Sequence, residues 1–128
     1  MTTTMSDKCR TICVVDDDPS VCKALSRLIK LSGFNVKSYG SAQELLDDKQ
    51  LGSIDLLLLD IKMPVMDGFA LQDHLSAAGF HIPIVFMTAH EVDKIRAKVM
   101  ERGAVAFLQK PFEEQDLLEA ITNGLKQR

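Results

Sequence analysis

The chain is predicted to fold as an α/β domain of three layers, a parallel five-stranded sheet with helices on both faces. Two observations carry this. Short apolar runs alternate five times with amphipathic stretches of helical period. The middle run, "DLLLLD" at 55–60, is apolar without alternation, as a central strand covered on both faces must be. Right-handed crossovers then make all five strands parallel. The pattern leaves the order of the strands open. At 128 residues there is material for one domain and one substantial core.

Each element has its own signal. "TICVV" (11–15) reads as the first strand, and Asp16, Asp17 and Asp18 end it. Asp18 and Pro19 suit the cap and first turn of a helix that places Val21, Ala24, Leu25, Leu28 and Leu31 on one face and closes at Gly33. "FNVKSY" (34–39) alternates, which fits a more exposed strand. Ser41 followed by Glu44 is a capping-box pair opening a short helix over Leu45 and Leu46. After the central strand, Asp67 can cap a helix through Leu71 and Leu75 that ends at Gly79. "IPIVFM" (82–87) is the fourth strand, with Pro83 among its first positions. Val92, Ile95 and Val99 mark a fourth helix stopped by Gly103. "VAFLQ" (105–109) is the fifth strand, and Leu117, Leu118, Ile121 and Leu125 mark the last helix.

Composition narrows the function. The chain is 46% hydrophobic and 26% charged, a globular balance, and 15 basic against 18 acidic residues leave a formal charge of -3. That is no footprint for a nucleic-acid binder. Cys9, Cys13 and Cys22 match no zinc spacing, and Cys13 and Cys22 read as small buried hydrophobes, in keeping with a reducing compartment. "MTTTMSDKCR" lacks the apolar region of a signal peptide, and no apolar run reaches the length of a bilayer span. The expectation is a soluble cytoplasmic domain over 11–128, preceded by a flexible segment at 1–10.

Open parallel sheets bind ligands beyond the carboxyl ends of their strands. Asp16 and Asp17 follow the first strand, Asp60 the third, Thr88, Ala89 and His90 the fourth, and Lys110 the fifth. Taken singly these are ordinary residues: caps, a turn aspartate, a helix-start threonine, a Lys-Pro turn. Their joint placement is what points to a site. Three converging carboxylates raise one another's pKa unless a cation intervenes, and an oxygen-only set favours a hard divalent ion such as magnesium. Lys110 can offset further charge and grip an anion. There is no His/Cys set for zinc, and the seven scattered glycines form no nucleotide-cradling loop. With no phosphate loop, a phosphoryl group would need its own anchor, and a carboxylate nucleophile can be that anchor.

"ICVVDDDPS", "LLLLDIKMPVMDG", "VFMTAHE" and "GAVAFLQKPF" together resemble the receiver domain of two-component response regulators, over almost the whole chain from Thr11 onward. The resemblance implies a flavodoxin-like (βα)5 fold with strand order 2-1-3-4-5. It implies that Asp60 accepts a phosphoryl group from a sensor histidine kinase or histidine phosphotransfer protein. Asp17, Asp60 and the backbone carbonyl of Lys62 would ligate magnesium (or manganese as a substitute), with Asp16 acting through water. Thr88, Ala89 and Lys110 would bind the phosphoryl group, Phe107 would be the switch aromatic, and the Lys110–Pro111 peptide would be cis. Such a domain is not an enzyme in the ordinary sense, although it catalyses its own phosphorylation and slow autodephosphorylation. Lys62 and His90, each two residues past a key position, are candidates for tuning the phosphoryl lifetime. His74 and His81 read as surface residues, and Met63 and Met66 as packing around the loop.

The output is open at this point. Phosphorylation would switch the surface of the fourth helix, fifth strand and fifth helix, for partner binding or homodimer formation. "GAVAFLQKPF" resembles receivers of helix-turn-helix transcriptional regulators, so the chain could be the receiver part of a DNA-binding regulator. Other readings are a phosphoryl shuttle and a degenerate receiver-like interaction module without phosphoryl transfer. The chain itself carries no DNA-reading element, and no membrane partner is expected.

Overall fold

The computed structural model describes residues 10–89 and 92–126. Its elements run in chain order as β1 (Thr11–Val15), α1 (Pro19–Leu31), β2 (Asn35–Tyr39), α2 (Ala42–Leu46), a 3-10 turn (Leu51–Ser53), β3 (Leu56–Asp60), α3 (Gly68–Ala77), β4 (Ile84–Thr88), α4 (Val92–Glu101), β5 (Ala106–Gln109) and α5 (Glu114–Leu125). The sheet is parallel throughout, in the order β2-β1-β3-β4-β5. The expected segment 1–10 lies, except for Arg10, outside the described residues, as does His90. No helix among the described residues is long and apolar enough to cross a membrane.

Burial follows strand position. Every residue of β3 and β4 is buried, and β1 is buried from Ile12 to Val15, whereas the edge strands β2 and β5 are partly exposed. Successive residues face opposite ways, so the sheet divides the core in two. Cys13, Val15, Leu57, Leu59 and Phe86 pack with α2, α3 and α4; Ile12, Val14, Leu58, Val85 and Met87 pack with α1 and α5. Cys13 and Cys22 are free and buried on these two opposite sides, as small hydrophobes.

Caps place the helices as their residues predict. Asp18 accepts from the Ser20 amide at 2.9 Å ahead of Pro19, and Asp67 accepts from the Ala70 amide at 2.9 Å. Ser41 Oγ accepts from the Glu44 amide at 3.1 Å, but Glu44 reaches back to the Gly40 amide rather than to that of Ser41. Four strands begin later than the sequence pattern suggests, β2 and β3 by one residue each, at Asn35 and Leu56. β4 starts at Ile84, because Pro83 has no amide to donate; its carbonyl still accepts from the Leu57 amide at 2.9 Å. β5 starts at Ala106, one residue after Val105.

Candidate functional site

The carboxyl ends of β1, β3, β4 and β5 open on one edge of the sheet, and the register brings their following residues side by side. Asp60 pairs with Met87 across β3 and β4, and Thr88 pairs with Gln109 across β4 and β5. Asp16 and Asp17 follow β1, which neighbours β3. As a result, one carboxylate oxygen from each of Asp16, Asp17 and Asp60 lies within 4.8 Å of the others. Asp16 and Asp60 are buried, at 1% and 5% exposure, while Asp17 is exposed and leaves the cluster open to solvent. Thr88, fully buried, ends β4 beside them.

Lys110 closes the group from β5. Its ammonium forms an ion pair with Asp16 and lies 3.7 Å from Asp60 Oδ2. Its backbone amide donates to the Thr88 carbonyl at 2.8 Å, which ties the turn after β5 to the end of β4. The Lys110–Pro111 peptide is cis. Asp16 also accepts from the Asp18 amide at 3.0 Å, so α1 enters directly from the acidic turn.

One lysine does not balance three carboxylates. Burial pushes the Asp60 carboxyl up from 3.8 to about 6, Asp16 and Asp17 push the same way, and Lys110 and the Lys62 amide oppose them. The cluster therefore has the donors and the unmet charge to hold a divalent cation, hard oxygens being the ligands such an ion prefers.

The loop after β3 has a demanding path. The Gly68 amide donates to the Ile61 carbonyl at 2.9 Å, and a Cβ on Gly68 would stand 2.6 Å from the Asp60 carbonyl oxygen. Only glycine permits that approach. Between them, Val65 adopts φ of +69° with its side chain fully exposed, and the Met66 amide donates to Pro64 O at 2.7 Å. A β-branched residue in that region is strained, by about 1–3 kcal/mol. Nothing at Val65 signals this in the sequence. Met63 is buried and Met66 partly so, both packed on the core, while Lys62, His74 and His81 are exposed. Phe107 sits half-buried on β5, the register partner of Phe86, with the Arg96 guanidinium 5.6 Å from its ring centre.

The sequence matches the family model for the response regulator receiver domain over residues 12–122. The chain belongs to that family. Response regulator protein TodT of Pseudomonas putida F1 is 39% identical over 122 residues, which is 95% of this chain and 54% of TodT. TmoT of Ectopseudomonas mendocina is 40% identical, with 95% and 56% covered. The solved structure of the response regulator StyR superposes with a TM-score of 0.85 at 43% identity, covering 92% of this chain and 60% of that one. FixJ-N gives a TM-score of 0.83 at 32% identity, covering 93% and 95%. This receiver domain thus spans about half the length of the curated relatives it matches. Membership of that family places the chain among the phosphoryl-accepting receiver domains of response regulators.

Proposed function

We propose that Asp60 is the phosphoacceptor and that the domain takes its phosphoryl group from a sensor histidine kinase or a histidine phosphotransfer protein. The observation that carries this is the buried Asp60 carboxylate at the end of the central strand, within 4.8 Å of two other carboxylates and 3.7 Å from Lys110. An Asp60 oxygen attacks phosphorus, the P–O bond forms as the P–N bond to the donor imidazole breaks, and the imidazole leaves with a proton from solvent. With its pKa at about 6, Asp60 is largely ionised at neutral pH and able to attack. Lys110 and the Thr88 hydroxyl, with the Ala89 amide, hold the new phosphoryl oxygens, and β3 supplies a rigid support beneath the nucleophile.

Magnesium suits the cluster, with manganese as a substitute: Asp17, Asp60 and the Lys62 carbonyl would hold the ion and Asp16 would reach it through water. When bound, it offsets the carboxylate charge so that an anionic donor can approach. Phe107 follows Thr88 and changes the surface of α4, β5 and α5. That surface carries Arg96 on α4, beside Phe107 of β5, and Glu113, Glu114 and Asp116 at the start of α5, all four charged groups exposed, a pairing of opposite charges suited to two-fold association of two copies. The domain works in the cytoplasm over residues 11–128. A second reading, favoured by relatives about twice as long and by names such as transcriptional regulatory protein TdiR of Thauera aromatica, makes it the receiver of a longer DNA-binding regulator.

Borohydride trapping tests the acceptor. Reduction after phosphorylation converts an aspartyl phosphate to homoserine, and peptide mapping should place the change at residue 60. Conversion at Asp16 or Asp17 instead would overturn the assignment.

A further inference from the structure

Asp16 is held from both sides of β1. From the β5 side, Lys110 pairs with its carboxylate. From the β2 side, the Asp16 amide donates to the Tyr39 carbonyl at 3.2 Å, one step past the Val15–Tyr39 register pair. Two local bonds add to these. The Cys22 thiol on α1 donates to the Asp16 carbonyl at 3.2 Å, and the Asp18 amide donates to Asp16 Oδ1 at 3.0 Å. The backbone from which this carboxylate reaches the cluster thus leans, on one side, on the last residue of β2.

β2 is an edge strand and partly exposed, and the end of such a strand frays readily unless something fastens it. Lys37 and Tyr39, two residues apart, point to the same face of the sheet. Both reach Asp48, just after α2: Tyr39 Oη donates to Asp48 Oδ2 at 2.6 Å, and Lys37 Nζ to the same oxygen at 3.0 Å. Asp48 is itself fixed. Its Oδ1 accepts from the Gln50 amide at 2.7 Å, and its own amide donates to the carbonyl of the fully buried Leu45 at 2.9 Å. The Asp48 side chain is 7% exposed, so its charge relies on these donors rather than on water. Hydrogen bonds to an ionised group are about twice as strong as neutral ones. The Glu44 carboxylate accepts from the Gly40 amide at 3.0 Å and fastens the next residue to α2 as well. A line of contacts therefore runs from α2 through Asp48 and Tyr39 to the Asp16 amide.

We propose that Tyr39, Asp48 and Lys37 brace the end of the edge strand, fix the backbone of Asp16, and so set the affinity of the acidic cluster for its cation. All three are positioning residues, since none of them touches the cluster with its side chain. The cation rests on the function proposed above; the brace is present without it.

The test is a magnesium chloride titration of the whole chain followed by amide NMR, for wild type, Tyr39→Phe, Asp48→Ala and the double variant. Gly124→Ala is the control. Its added Cβ meets Leu56 at the start of β3, so it strains the fold at the far end of the sheet without touching the brace. Tyr39→Phe keeps the ring and loses one bond, and should weaken the magnesium Kd about fivefold; Asp48→Ala should weaken it about tenfold. The double variant should be no weaker than Asp48→Ala, because both changes break the same line of contacts. Gly124→Ala should bind magnesium as the wild type does. Wild-type affinity in Tyr39→Phe, an equal loss in Gly124→Ala, or losses that multiply in the double variant would each overturn the brace. Metal-free spectra of the same samples separate the two ideas. If the wild type binds no magnesium, the metal reading fails and the brace is judged on the Asp16 and Asp18 amide signals alone. A shift of those signals in Tyr39→Phe that Gly124→Ala does not share supports it, and unmoved signals overturn it.

Discussion

Replacing Asp60 by Asn should stabilise the receiver domain when divalent metal is removed, by an amount that grows with pH. The carboxyl sits at about 6 in the folded chain against an ordinary 3.8. Between those values the native state keeps a proton that the unfolded chain has released, so stability falls as pH rises through the window. At about 1.4 kcal/mol per pH unit the full loss is about 3 kcal/mol by pH 8, of which roughly half has accrued at pH 5. Asp60 is only 5% exposed, so solvent screening trims this little. Asparagine keeps the shape and never ionises. Urea denaturation followed by far-UV circular dichroism in chelator should therefore show Asp60→Asn ahead of wild type by about 3 kcal/mol at pH 8 and by roughly half as much at pH 5. Millimolar magnesium should shrink that lead, since only the wild type keeps all three carboxylates. A lead that does not change between pH 5 and pH 8, or a variant less stable than wild type in chelator, would refute the reasoning.

Three further outcomes follow from other places in the fold. Asp48 accepts from Tyr39 Oη at 2.6 Å and Lys37 Nζ at 3.0 Å, which with the Gln50 amide hold its carboxyl down at about 2. The roughly 2 kcal/mol this contributes is complete above pH 4 and lost as pH falls toward 2, so Asp48→Asn should cost that much in urea at pH 7 and little at pH 2. Gly68→Ala drives a methyl against the Asp60 carbonyl, 2.6 Å away; phosphoryl uptake should be lost while circular dichroism still shows a folded chain. Gly124→Ala places a Cβ 2.3 Å from Leu56 Cδ1, a fully buried side chain without room to retreat. The clash should outweigh the gain in helix propensity and leave a net loss of about 1–2 kcal/mol, and Leu56→Val should recover part of it in the double variant.

Much of this was legible because local chemistry and fold agree. The unbroken leucines of β3 announce a strand buried on both faces, and the Asp18–Pro19 pair, Ser41 with Glu44, and Asp67 announce three helix starts before any contact is known. The site was legible only through the topology, since Asp16 and Lys110 are 94 residues apart and nothing in either segment names the other. Once the strands are parallel, their carboxyl ends must meet, and the acidic cluster with Thr88 and Lys110 follows. What stayed hidden depends on side chains meeting across elements. Arg102 on Phe69 and Tyr39 on Asp48 are such meetings, each residue having many plausible surface roles in sequence. Val65 stayed hidden for a different reason: its left-handed backbone is imposed by the path between Pro64 and Gly68, against its own preference.

The most direct test of the central claim is intact-protein mass after incubation with a small phosphodonor such as phosphoramidate, with and without magnesium, for wild type and Asp60→Asn. The account predicts a gain of one phosphoryl group by the wild type in magnesium only, and none by the variant. An equal gain by Asp60→Asn, or no gain by the folded wild type with magnesium present, would contradict it.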